Sequence, residues 1–501
     1  MKKFVIVGSG SAGLIAAGMI KTYWKDGVDI TVIHDKSQGS IAVGESTTPY
    51  IHAFLTFCGI SEKDLIRDLD VTIKLGINFK NWIPDTEYFH GFGQITGQNG
   101  WNKLRSSDPS ATYSILNDVY NGGSLYNEPM TKVPTNIFDN FSHALHIDTR
   151  QFTDYLHEKL NGDVKFIDDI VTRVRVNTEC TKIESIECKY NGIFDADYFI
   201  DASGFNTILF KHLNPKWNDM SKYLPIDRAI PQQIPYDFKD ELPSYTLAEA
   251  TDNGWIWRIP IGDRYGTGYL YSSKFTSDEE AREKYNDWLV ENFDTKLTSD
   301  RIIKYRPGYY EDYWMGNCLA IGLSSGFVEP LESTGIHIVI KQVQEFINYN
   351  YNLKNLNFNR KSANLINRDI YTDVVNFVAL HYNTNRTDSK FWKYVKDNKP
   401  DWVKDIDEKI REGSVDSSIY RNNPLSSLWT LDSYIQVTNG LKMISKESIQ
   451  NHLDSKPKGN GIFISGEQIL EVCKNMHDCE VSEKNNQVFV SHKGIIDSIH
   501  K

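Results

Sequence analysis

The hexapeptide Gly8-Ser9-Gly10-Ser11-Ala12-Gly13 constrains this chain more than any other stretch. It follows the apolar run Phe4–Val7, which reads as a short buried strand, and it opens a stretch from Ser11 to Trp24 that reads as a helix. Glycines at these spacings permit a tight turn, let the backbone approach a pyrophosphate and bring helix and strand together. The helix N-terminus then presents its unpaired N–H groups to the phosphates. With Asp29–Ile33 as the next strand, the segment predicts a βαβ unit whose nucleotide site uses Gly8, Gly10, Ser11, Ala12 and Gly13. At the end of that second strand, where an acid usually takes the ribose hydroxyls, stands His34, followed by Asp35. No second fingerprint follows, so a flavin held here would draw its electrons from elsewhere.

The 501 residues, 40% hydrophobic and 24% charged, suit a soluble globular protein with a large core. A net charge of −11 argues against nucleic acid or an anionic membrane as the main partner, and no apolar run approaches a membrane span. Six scattered cysteines predict a reduced, cytoplasmic chain. Cys473, His477 and Cys479 lack a second ligand pair at zinc spacing, so no metal is expected.

Further along, Val71–Phe79 alternates apolar and polar residues and reads as one strand with Lys74 on its polar face. Residues 85–140, rich in Gly, Asn and Tyr, read as long loops over a sheet, which in a compact enzyme usually cover a site. A helix runs to Leu160 with Asp148 or Thr149 as N-cap, and Ser277-Asp278-Glu279-Glu280 is a capping box. Cys318–Leu323 reads as a buried strand, and the apolar pattern after Gly335 as a helix capped by Ser333 or Thr334. Beyond about residue 355 the chain is mainly helical.

In Gly254-Trp255-Ile256-Trp257-Arg258-Ile259-Pro260 the two tryptophans share one side of an extended segment, and Pro260 is expected to take the backbone out of pairing. By itself this is an aromatic core wall. Glu332, in Glu329-Pro330-Leu331-Glu332-Ser333-Thr334-Gly335, reads by itself as a carboxylate beside a helix N-terminus.

Together these motifs carry a resemblance. GSGSAG, Val43–Pro49 (VGESTTP), the TIKLGINFKNW segment around Lys74, Tyr88–Gly93, His146-Ile147-Asp148 and Asp201–Phe205 resemble, in order and spacing, the flavin-dependent tryptophan halogenase family. So do GWIWRIP, Ala320–Ile336, and His381-Tyr382 with Arg386 and Phe391-Trp392; the match spans roughly residues 3–395. The implied fold is α/β. It has an FAD-binding, Rossmann-like (glutathione-reductase-type) module over residues 1–350, with substrate-covering elements interspersed at about 85–140 and 210–300. A mainly helical region, 351–501, would complete the substrate site.

The resemblance implies a two-component, monooxygenase-like oxidoreductase. A separate flavin reductase delivers reduced FAD, which with O2 and a halide (chloride, bromide or iodide) yields hypohalous acid. That oxidant passes through an internal tunnel to a small aromatic substrate. Lys74 then carries or hydrogen-bonds the active halogen, and Glu332 pairs with Lys74 and removes the ring proton. Thr334 and Gly335 correspond to the halide turn, Ser333 to a tunnel residue, and His90 and Phe92 to walls of the substrate pocket. Trp255 and Trp257 separate flavin from substrate. Gly44, Glu45, Ser46, Asp201, Gly322 and Leu323 join the fingerprint, His34 and Asp35 around the cofactor. The resemblance leaves open whether Lys74 acts as a haloamine or as a hydrogen-bond donor, and leaves a homo-oligomer open.

The chain departs from the family pattern at His34, where a glutamate is usual, and at Ser46, where alanine is commoner. Its C-terminal region does not match the part that grips an amino-acid head group. The expected substrate is therefore an indole, phenol or other electron-rich heteroarene. The alternative is a flavin-dependent aromatic hydroxylase. Such enzymes place an Asp where Leu323 follows Gly322, and need the substrate beside the flavin, where the tryptophan pair would obstruct it. A catalytically silent flavin-binding protein is a third reading, opposed by the presence of Lys74, Glu332 and the tryptophan pair in one chain.

Overall fold

The computed structural model describes residues 1–37, 44–92, 131–135, 137–140, 142–239, 242–354, 356–412, 427–443 and 489–500. Much of the loop stretch expected over 85–140 (93–130), together with Cys473, His477 and Cys479, lies outside them.

Phe4, Val5, Ile6 and Val7 are all buried, so their strand needs cover on both faces, which favours a parallel sheet with helices on each side. Lys2–Val7 pairs in parallel with Val28–His34 on one side and Tyr198–Asp201 on the other. Lys165–Asp168 and Cys318–Ala320 extend the parallel sheet, and Trp314–Met315 closes one edge antiparallel. The helix Ser11–Trp24 buries Gly13 to Ile20 without a break, because it packs between this sheet and the helices Thr149–Leu160 and Thr334–Tyr349.

A second sheet of seven strands carries the tryptophan pair. Its order is Ile303–Lys304, Arg228–Pro235, Arg264–Tyr271, Gly254–Ile261, Tyr245–Thr251, Gly76–Lys80, Glu87–Gly91. Asn357–His381, Lys390–Asp397 and Leu431–Gly440 add side chains to the core on this side of the molecule. Linking the two halves is a small antiparallel sheet in which Ala144–Ile147 pairs with both Glu45–Ser46 and Thr72–Lys74.

Three expectations are corrected. Val71–Phe79 is two strands in different sheets, Thr72–Lys74 and Gly76–Lys80. Leu75 lies between them and donates its N–H to the Ser244 carbonyl. Both faces are covered, so Thr72, Lys74 and Asn78 are buried as fully as their apolar neighbours, and alternation did not mark a wet side. Pro260 stays in its strand opposite Tyr265. On its other edge, pairing with the strand Tyr245–Thr251 stops at the Leu247–Arg258 pair, so an N–H is dispensable there. Within the stretch expected to be loop, Glu87–Gly91 is an edge strand paired with Gly76–Lys80.

Candidate active site

At the nucleotide end, the fingerprint is shaped by close approach. A Cβ on Gly8, whose φ is +112°, would lie 2.2 Å from the Ala202 carbonyl oxygen, and one on Gly13 2.0 Å from the Gly8 oxygen. Gly10 faces open space and caps the helix with no side-chain bond, leaving the first-turn N–H groups available. Ser11 Oγ and one Glu45 oxygen are buried without a partner among the described residues, and burial pushes Glu45 up to about 7. Open N–H groups at a glycine cradle, with the unpartnered Ser11 hydroxyl in its first turn, fit the pyrophosphate of FAD. His34 Nδ1 meets Ser9 Oγ at 2.8 Å, and burial, the largest influence, lowers it from its ordinary value. Asp35 accepts from Ser37. Gly322, at φ +56°, packs against Ala12, with Leu323 next in a 3-10 turn. Ser46 Oγ meets Thr246 Oγ1, and Gly44 precedes the same strand. Asp201 has both oxygens taken, by Ser203, Leu209 and Phe210. It shapes the loop after its strand and has no oxygen to spare for a ligand.

At the other end, Lys74 is wholly buried. Its Nζ donates to the Thr47 carbonyl and to Ser333 Oγ, each at 2.9 Å, and sits 4.8 Å from the Phe92 ring centroid. Among the described residues no carboxylate lies within ion-pair distance of it. Burial pushes Lys74 down to about 7, against the raising influence of the Glu332 charge. The expected direct pairing of Lys74 with Glu332 is corrected: the side chain between them is Ser333. Glu332 instead sits between two imidazoles, with His90 Nδ1 3.0 Å and His381 Nε2 2.8 Å from its oxygens. Burial raises Glu332, but the two histidines outweigh it and hold the carboxyl at about 2. His90 Nε2 and the Tyr88 hydroxyl are buried without partners among the described residues.

Ser333 occupies the N-cap position of the helix Thr334–Tyr349 with a left-handed backbone, φ 59°, and makes no cap bond. Its hydroxyl accepts a hydrogen bond from Lys74 instead, so among the described residues no side chain caps the N–H groups at the positive end of this 16-residue helix, those of Thr334 and Gly335 included. A Cβ on Gly335 would meet nothing within 4 Å. That is a ready anion site, and a halide is an anion.

Trp255 and Trp257, in the strand Gly254–Ile261, are 2% and 8% exposed. Trp257 lies so close over Gly268 that a Cβ there would come 2.1 Å from its ring. Trp255 Nε1 is buried without a hydrogen-bond partner among the described residues, as is one oxygen of Glu329, the first residue of the turn that carries Glu332. Glu329 accepts from the Tyr382 hydroxyl at 2.7 Å, and burial pushes it up to about 8.

His381 had been given no role from sequence. The signal was there: Ile370, Val374, Phe377 and His381 fall on one stripe of a helix, and a titratable residue on an apolar stripe needs a partner. Nothing in the sequence pointed to His492. Its Nε2 accepts the Ile73 N–H at 2.9 Å, one residue before Lys74. The four cysteines among the described residues are free thiols, and no helix of those residues is long and apolar enough to cross a membrane.

The profile of the tryptophan halogenase family matches residues 3–457. The chain is 31% identical over 497 residues to the tryptophan 7-halogenase RebH of Lentzea aerocolonigenes, an alignment covering 88% of this chain and 90% of that protein. It is 30% identical over 432 residues to the tryptophan 6-halogenase SttH of Streptomyces toxytricini, covering 79% and 80%. Its fold is similar to that of Xcc4156, a flavin-dependent halogenase from Xanthomonas campestris, with a TM-score of 0.84, 22% identity, and coverage of 99% and 98%.

Proposed function

The chain belongs to the tryptophan halogenase family, and from that premise we propose that it is a flavin-dependent halogenase of an electron-rich aromatic substrate such as an indole, phenol or other heteroarene. Reduced FAD, received from a separate flavin reductase, supplies the two electrons with which O2 oxidises halide to hypohalous acid. The fingerprint, the following helix N-terminus and Glu45 hold the cofactor. The open N–H groups of Thr334 and Gly335 hold the halide. Trp255 and Trp257 keep the aromatic substrate from the flavin, so that only a small oxidant crosses.

On the substrate side, Lys74 receives the oxidant. With its ammonium lowered to about 7, about half of it is neutral at pH 7, so a nucleophilic amine is available alongside the charged donor. Glu332, ionised between His90 and His381, takes the proton lost from the ring carbon. If His90 donates Nδ1–H to Glu332, its Nε2 carries a lone pair. That atom has no protein partner and can accept an N–H or O–H from the substrate. Phe92 packs beside it.

The observation that carries this reading is Lys74: a wholly buried lysine, without a counter-carboxylate, hydrogen-bonded to the residue next to an ionised Glu332. An exposed or ion-paired lysine would not need this site. The test supplies the purified protein with a flavin reductase, NADH, FAD, O2, each halide in turn and a panel of aromatics including tryptophan, read by mass spectrometry. Halogenated product is expected. Hydroxylated product without halogen would hand the site to aromatic hydroxylation instead.

A further inference from the structure

Away from the cofactor and from Glu332, three ligand-type side chains from separate elements converge. His52 lies in the helix Ile51–Phe57, Glu62 opens the helix Glu62–Asp68, and His143 immediately precedes the strand Ala144–Ile147. Their ligating atoms all lie within 4.8 Å of one another. His143 Nε2 is 2.6 Å from Glu62 Oε1, and His52 Nδ1 is 3.8 Å from the other Glu62 oxygen. We propose that His52 Nδ1, His143 Nε2 and Glu62 form a binding site for a divalent transition-metal ion of the zinc type.

Three features favour a metal over a simple hydrogen-bonded cluster. First, the far nitrogen of His52, Nε2, lies 3.1 Å from the His143 carbonyl, which can only accept. Nε2 therefore carries the hydrogen, and the lone pair of a neutral ring sits on Nδ1, facing Glu62. A backbone carbonyl fixing the outer nitrogen is the usual support of a metal-bound imidazole. Second, two imidazoles and one carboxylate are the donor set that zinc takes at sites keeping a fourth position for water. Third, the side chains are 29% (His52), 16% (Glu62) and 6% (His143) exposed. That is buried enough to fix the ligands and open enough for an ion to enter with a water still attached.

On binding, the proton between His143 Nε2 and Glu62 gives way, moving to the ring's other nitrogen or to water, and both groups turn to the ion. Ala144, next to His143, is the register partner of Lys74. The ion therefore braces the start of the strand that pairs with Thr72–Lys74.

The test titrates chelator-stripped, full-length protein with Zn2+ against a chromophoric competitor, and repeats it with Co2+, whose visible bands report nitrogen and oxygen ligation. One saturable ion per chain is expected. His52→Ala and Glu62→Gln should each weaken it by about 100-fold or more. Glu62→Gln keeps the side chain's shape and its hydrogen bond to His143, so a fold defect does not explain its loss. The other cluster of this kind among the described residues, His90, Glu332 and His381, provides the control. Binding that survives Glu62→Gln but is lost in Glu332→Gln overturns the proposal, as does the absence of saturable binding in the unmodified protein.

Discussion

Glu329 and Glu332 stand three residues apart on one turn, 1% and 2% exposed, yet burial leaves them in opposite states. Glu329 has a tyrosine hydroxyl for a partner and is pushed up to about 8, so at neutral pH it is largely a neutral acid. Glu332 has two imidazoles for partners and is held at about 2, so it is an anion. Desolvation raises both; what separates them is whether a group able to carry positive charge came along. Of the two, Glu332 is the one that is fully ionised at neutral pH. One turn thus carries a neutral acid bonded to Tyr382 and, three residues on, a carboxylate held between His90 and His381.

Three substitutions would break or sharpen this contrast. The largest effect is expected at Lys74, the group Glu332 is placed to serve. Lys74→Met should abolish halogenation while oxidation of reduced flavin and release of peroxide continue; measurable halogenated product would remove Lys74 from the chemistry. Next, Glu332→Gln should slow single-turnover halogenation by about 10²–10⁴-fold, and an unchanged rate would make the carboxylate structural.

The smallest effect on rate belongs to Glu329→Gln, which replaces a mostly neutral acid with a neutral amide and should alter turnover by only about 2- to 3-fold. Its signature is in stability against pH. Glu329 is raised above its ordinary 4.5, so its stabilising contribution is complete below about 4.5 and is lost as pH rises towards 8. The variant should therefore gain stability over the parent progressively across that window. Glu332 is depressed, so its contribution is present above about 4.5 and is lost as pH falls towards 2. Denaturant midpoints of both variants across pH 3–8 check both signs, and parallel curves would erase the distinction between the two acids.

How much of this was legible depends on how local the cause is. The fingerprint, the helix Ser11–Trp24, the capping box at Ser277 and the Asp148 cap are set by nearest neighbours, and they stand where the sequence predicts. The α/β class follows from the same local signals. Val71–Phe79 misled because alternation marks a wet face only when one exists, and here both are covered. Ser333 misled because a serine before a helix normally caps it, whereas this one spends its hydroxyl on Lys74 from 259 positions away. The imidazole pair on Glu332 is beyond local reading altogether, since His90 comes from the edge strand Glu87–Gly91 and His381 from the last turn of the helix Asn357–His381, far apart in sequence. Lys74 and Glu332 were named through likeness to a family; their environment was not.

The hydrogen bond from Ile73 to His492 spans 419 positions. The N–H one residue before Lys74 has its acceptor only once the segment around His492 has packed against the small sheet. Contacts of such sequence separation form slowly. The strand that carries Lys74 is therefore among the parts of the fold that settle late, held by a side chain remote in sequence.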